Sequence, residues 1–134
     1  MQLVLKKLFI PLLLSLTCTF TVSGFADVFT DIANAIRSGE AKAITNFCGN
    51  TVNLTILNQE DVYSRAQAEQ VLKSFFAKNT PRSFTIVHKG GSKEGSKYAI
   101  GSMVSSQGLK FRVYLLFKQT AGGETLQEIR FEKE

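Results

Sequence analysis

Few residues in this chain can do chemistry: one histidine, two cysteines and eleven carboxylates among 134 residues. His88 lies next to the end of the stretch "SFTIVHK", where alternation puts it on one face with Phe84 and Ile86. A histidine acting as a general base needs a partner aimed at the same space. Reading "YAIGSMVS" with the same period groups Tyr98, Ile100, Ser102 and Val104. Tyr98 and Ser102 are therefore the partners His88 would meet across a hairpin. No carboxylate joins them. Glu128 and Glu132 share the parity of Arg130, opposite to Ile129 and Phe131, while Glu60 and Asp61 fall in a turn and Glu94 in a loop. A tyrosine–histidine pair without an acid is a weak constellation. The expectation is a hydrogen-bonded or solvated histidine at a strand end, and no catalytic residue.

Cys48 follows Phe47 at the end of a short helical pattern and has no base beside it. It reads as a small buried hydrophobe rather than a nucleophile. One histidine and one cysteine far apart make no metal-ligand cluster, and no cofactor is expected. "GGSKEGSK", Gly90 to Lys97, is glycine-rich but lacks the Gly-Lys-Ser/Thr ending of a phosphate loop, and no helix follows it. It reads as a long surface loop. "LKFRVYLLFK" aligns Lys110, Arg112, Tyr114 and Lys118 on one face. Basic residues interleaved with an aromatic also occur on nucleic-acid surfaces, but Glu128 and Glu132 on the next strand make cross-strand ion pairs the better use. Leu116 shares the face of Tyr114, and Met103 is placed with them. That gives an apolar island of the kind that meets a partner.

The first 26 residues are read apart from the domain. Lys6 and Lys7 precede the apolar run "LFIPLLLSLTCTFTV", and "SGFA" ends in small residues, the order of a secretory signal peptide cleaved after Ala26. The apolar run is shorter than the ~20 residues of a spanning helix. Cys18 lacks the small residue that precedes a lipidated cysteine. Without residues 1–26 the chain keeps 14 basic and 11 acidic residues, a net charge of +3. That is mildly basic and gives no reason to expect nucleic acid. Cys48 alone remains, so no internal disulfide is expected. Residues 27–134 are one domain, placed in a bacterial periplasm or secreted, with no membrane contact after cleavage.

The elements that must position these residues follow from patterning. "DVFTDIANAIRSG" spaces Val28, Ile32, Ala35 and Ile36 as a helix, with Asp27 as its cap and Gly39 as its stop. "EAKAITNFCG" reads as a second, shorter helix carrying Ala41, Ile44, Phe47 and Cys48 on one side. "TVNLTIL" alternates as a strand and "NQED" reads as a turn. In "YSRAQAEQVLKSFFAKNTP", Ser64 and Gln67 have capping-box spacing, and Ala68, Val71, Leu72, Phe75 and Phe76 form an apolar stripe. Four alternating strands then follow as a meander.

Strands with one apolar face need helices on one side. The order of elements, carried by "VFTDIANAIRSGEAKAITNF", "YSRAQAEQVLKSFFAKNTP", "FRVYLLFK" and "EIRFE", resembles the cone-shaped α+β fold of the nuclear transport factor 2-like superfamily, also grouped as cystatin-like. More narrowly, it resembles a bacterial exported family of that fold, domain-of-unknown-function family 4783. The resemblance implies helices packed on one face of a curved antiparallel sheet, and a superfamily whose members often pair through the outer sheet face. It also implies a cone interior, where a small apolar ligand would meet Phe75, Phe76, Phe84, Ile86, His88, Tyr98, Ser102, Phe111 and Val113. The outer-face partner, a second copy or another protein, would meet Tyr114, Leu116 and Met103. The expected function is a non-enzymatic binding module. The alternative is a cone-pocket enzyme of isomerase or dehydratase type that uses His88.

Overall fold

The computed structural model describes residues 27–91 and 94–134. The expected leader lies outside the described residues, as do Ser92 and Lys93 of the glycine-rich loop. Helix α1 (Val28–Ser38) begins where the Asp27 carboxylate accepts a hydrogen bond from the Phe29 amide, and ends where Gly39 turns to φ 68°. Helix α2 (Ala41–Thr45) is a single short turn. It stops before Phe47, and Cys48 opens strand β1 (Cys48–Ile56) instead of closing the helix. Leu57 and Asn58 make the turn into β2 (Gln59–Ser64), so the expected "NQED" turn lies mostly in a strand. That strand escaped the sequence reading because nearly all of its side chains are exposed and show no alternation.

Helix α3 (Arg65–Lys78) has the expected capping box. The Ser64 hydroxyl accepts from the Gln67 amide, and the Gln67 side chain accepts from the Ser64 amide. Ala68, Leu72, Phe75 and Phe76 are its buried stripe. Strands β3 (Pro81–Gly91), β4 (Ser96–Ser105), β5 (Lys110–Thr120) and β6 (Gly123–Lys133) follow. The β3 and β4 strands take in both ends of "GGSKEGSK", so the loop is shorter than expected.

The strands form one six-stranded sheet in the order β2-β1-β6-β5-β4-β3. Four of the five pairings are antiparallel, as expected, but β1 and β6 run parallel. The chain passes through α3 and four strands before β6 returns beside β1, a separation at which parallel pairing is accessible. All three helices cover one face of this curved sheet. Helix α1 lies on β3, where Arg37 Nε donates to the Phe84 carbonyl at 2.8 Å. Helix α2 packs on α3, and α3 packs on β1 and β2. The core joins them: Phe75 meets Phe111 edge-on at 5.4 Å and Phe131 at 4.8 Å, and Phe29 meets Phe117 at 5.8 Å. Phe111 and Ile129 face this core, as the alternation of the late strands requires.

Two parity expectations fail. In β3 the pairing slips between Ile86 and His88, leaving Val87 as an extra, exposed residue. A bulge reverses every side chain beyond it. His88 therefore leaves the face of Phe84 and Ile86 and points outward, opposite Ile100. In β4 the buried set is Ala99, Gly101, Met103 and Ser105. Tyr98, Ile100, Ser102 and Val104 lie outside. The larger apolar side chains suggested the other face, but the inner face must accept the Phe84 ring. A Cβ on Gly101 would stand 2.4 Å from Phe84 Cζ. Among the described residues no helix is long and apolar enough to cross a membrane.

Candidate functional site on the outer face of the sheet

The face away from the helices carries a row of side chains set by register. His88, Ile100, Tyr114, Arg130, Thr55 and Glu60 are successive partners from β3 to β2. Beside them run Tyr98, Leu116, Glu128, Asn53 and Val62. The rings interlock. His88 Nε2 and the Tyr98 hydroxyl are 2.9 Å apart, and Tyr98 stacks on Tyr114 with centroids 6.2 Å apart and planes at 23°. The Arg130 guanidinium lies over Tyr114, 5.4 Å from its centroid, and Arg130 Nε is paired with Glu128 Oε1. Asn53 Nδ2 donates to Glu60 Oε1 at 3.1 Å. Gly90 makes room for the row, since a Cβ there would lie 2.4 Å from Tyr98 Cε1. Tyr98, Ile100, Tyr114, Leu116 and Arg130 are all half-buried. These five side chains are neither sunk in the core nor free in water, while His88, Glu60 and Val62 at the ends are exposed.

Burial holds the Tyr114 phenol above its usual range, aided by the Glu128 carboxylate and opposed by Arg130. Arg130 is raised by its hydrogen bond to Glu128. At neutral pH the row therefore presents a neutral phenol next to a fixed ion pair. Two acceptors on this face, Asn53 Oδ1 and Thr55 Oγ1, are buried without a hydrogen-bond partner among the described residues. Native folds leave few such atoms, and by register Thr55 lies next to Arg130 and Asn53 next to Glu128.

The sequence-predicted residues separate into three places. Phe75, Phe76, Phe84, Phe111 and Val113 are at most 5% exposed and belong to the core. Ile86 lines a groove of about 250 Å³ with Phe29, Arg37 and Lys89. His88, Tyr98 and Ser102 lie on the outer face, so the cone constellation that the isomerase-type reading requires is not assembled. Tyr114 and Leu116 are on the outer face as expected. Met103 is not: it is fully buried opposite Phe111. The expected cross-strand ion pairs are also replaced, because Glu128 pairs with Arg130 of its own strand.

Cys48 is buried, and desolvation pushes its thiol up to about 12 against the opposing pull of Arg65. Arg65 itself donates to the carbonyls of Cys48 and Gly49, at 2.7 and 3.2 Å. Among the described residues no group of three or more His, Cys, Asp or Glu side chains is placed to hold a metal. Sequence reasoning missed Tyr98 and Ile100 as outer-face residues but placed Arg130 on that face. The signal available was the pair Gly90 and Gly101, since glycines inside strands mark bulges and close packing.

A model of the family described as a domain of unknown function, DUF4783, matches residues 29–132. This chain belongs to that family. DUF4783 proteins of known structure share its fold. One from Bacteroides fragilis is 28% identical, with a TM-score of 0.72 over 81% of this chain and 100% of the other. One from Bacteroides uniformis is 24% identical, with a TM-score of 0.74 over 81% and 98%. A nuclear transport factor 2-like protein of unknown function from Shewanella baltica has a TM-score of 0.61 at 9% identity, over 80% of this chain and 88% of that one. It shows the fold alone. The DUF4783 chain thus has the nuclear transport factor 2-like α+β fold. The comparison with curated proteins finds no match.

Proposed function

We propose that this chain is an exported, non-enzymatic binding module whose working surface is the outer face of the sheet, and that a second copy of the chain is the partner that fits it. The observation carrying this reading is the flat row that runs from the exposed His88 through the half-buried Tyr98 and Tyr114 to Arg130. Aromatic rings with polar tips and an arginine are the residues that carry interface energy. Around the row, charge is divided. Lys110, Arg112 and Lys118 line the β5 flank, and Glu128, Glu132 and Glu60 line the β6 and β2 flank. A two-fold axis through the face sets one flank against the other. Six strands of this length give a face of roughly 25 by 30 Å, near the ~800 Å² that each partner gives to a standard interface. Export rests on the charged, apolar, small-residue order of residues 1–26.

Light scattering coupled to sizing tests this reading. The expected result is a dimer at micromolar concentration that Leu116→Arg converts to a monomer with an unchanged circular dichroism spectrum. A wild-type protein that stays monomeric throughout the micromolar range overturns the second-copy reading. Covering of the face by another envelope protein would then show as Leu116→Arg-sensitive crosslinks from Tyr114 in intact cells.

A further inference from the structure

We infer that a cleft behind α3, on the side away from α1, binds a small amphipathic monocarboxylate. Its carboxylate is held by Lys78 and its apolar body rests on Phe75 and Leu57. The site is separate from the outer face and goes beyond the function proposed for it. The cleft holds about 340 Å³ between the β1–β2 hairpin and the C-terminal half of α3. That is within the range of ~300–1,000 Å³ typical of ligand sites.

Its floor is apolar: Ile56 from β1, Tyr63 from β2, and Val71 and Phe75 one turn apart on α3. Ile56, Tyr63 and Val71 are only half-buried, so the fold leaves this apolar surface wet. The rim is polar: Gln59, Ser74, Asn79 and Lys78. Among the described residues, Lys78 is the one charged lining residue, and it makes no ion pair. An apolar floor with a single unpaired cation at its edge matches a molecule with an apolar body and one negative end. The C-terminus of a helix repels an anion, but here two carbonyls of its last turn are occupied. Phe75 O accepts from the Asn79 amide and from Asn79 Nδ2, and Phe76 O accepts from the Thr80 hydroxyl.

Leu57 supplies the second observation. Among the described residues it is the one non-glycine with positive φ, at 57°, and it is 43% exposed at the edge of the cleft. It takes the first position of a two-residue hairpin turn, where glycine is the unstrained choice. Its amide, bonded to the Phe131 carbonyl at 2.8 Å, fixes the turn on the sheet. A strained backbone that displays an apolar side chain beside an open cleft fits a contact made with a ligand.

The test is an amide-resolved NMR titration of the purified protein with octanoate, octanol and octylammonium. Octanoate is expected to shift Leu57, Val71, Phe75 and Lys78 with submillimolar affinity. Octanol is expected to bind about tenfold more weakly, the scale of one charge-assisted hydrogen bond, and octylammonium more weakly still. Lys78→Met should abolish the preference for octanoate over octanol. Leu57→Gly should weaken all three while leaving the unfolding midpoint equal or higher, an outcome that separates a binding role from a structural one. Equal affinities for octanoate and octanol, shifts mapping outside the cleft, or no shifts at millimolar octanoate overturn the proposal. None of these outcomes bears on the sizing experiment.

Discussion

At Gly101 an added Cβ would stand 2.4 Å from Phe84 Cζ and 3.0 Å from the Thr85 carbonyl, so the inner face of β4 is shaped by the ring it must admit. Gly101→Ala is expected to cost about 1–3 kcal/mol through overpacking, read from urea unfolding. The cost should shrink in a Phe84→Leu background, because the two residues share one space. Cys48 gives a prediction in pH. Its folded thiol lies at about 12 against an ordinary value of 9.0. The buried thiol is favoured in its neutral form, so its contribution is complete below pH ~9 and is lost as pH rises toward ~12. Between pH 8 and 10.5 this amounts to about 2 kcal/mol of stability. Cys48→Ala should lose less over that interval than wild type, and an identical loss would remove the thiol as the cause. At this scale the sequence was legible where alternation ran unbroken, as at Phe111, Val113 and Leu115. It was misread where one extra residue, Val87, reversed a strand and where the smaller set of β4 side chains went inside.

Among the elements, α3 is the one most fully written in local sequence. The reciprocal Ser64–Gln67 bonds start it and Asn79 stops it, independently of what it packs on. Ser64→Ala should therefore destabilise the domain by about 1 kcal/mol, seen as a shift in urea midpoint with no change in slope. A loss much larger than that would mean Ser64 also fixes the end of β2. Strand β2 is the opposite case. With Val62 62% exposed and only Tyr63 half-buried, it has no apolar face to announce it. It is a strand because β1 offers a ladder, and Tyr63 is positioned for the cleft by that pairing alone. This is why cleft residues such as Leu57, Gln59 and Tyr63 had no signature in sequence, whereas the helical side of the same cleft lay in a legible stripe.

For the whole molecule, the sequence order was enough to place helices over one side of a sheet, because strands with one apolar face leave few other packings. It did not show that β1 and β6 are neighbours, since nothing local encodes a pairing between residues so distant in the chain. That pairing has a consequence for how the molecule is made. The β1–β2 hairpin and the β3–β4–β5 meander are joined into one sheet by β6 alone, and β6 emerges from the ribosome after both of them. A nascent chain lacking it holds two small sheets with open edges and no seam between them. Slow, late closure is the expected kinetic signature. Stopping translation at Gly122 should give an aggregating product rather than a shorter soluble one, and recovery of a monomeric, folded fragment would show that the two sheets do not wait for the strand between them.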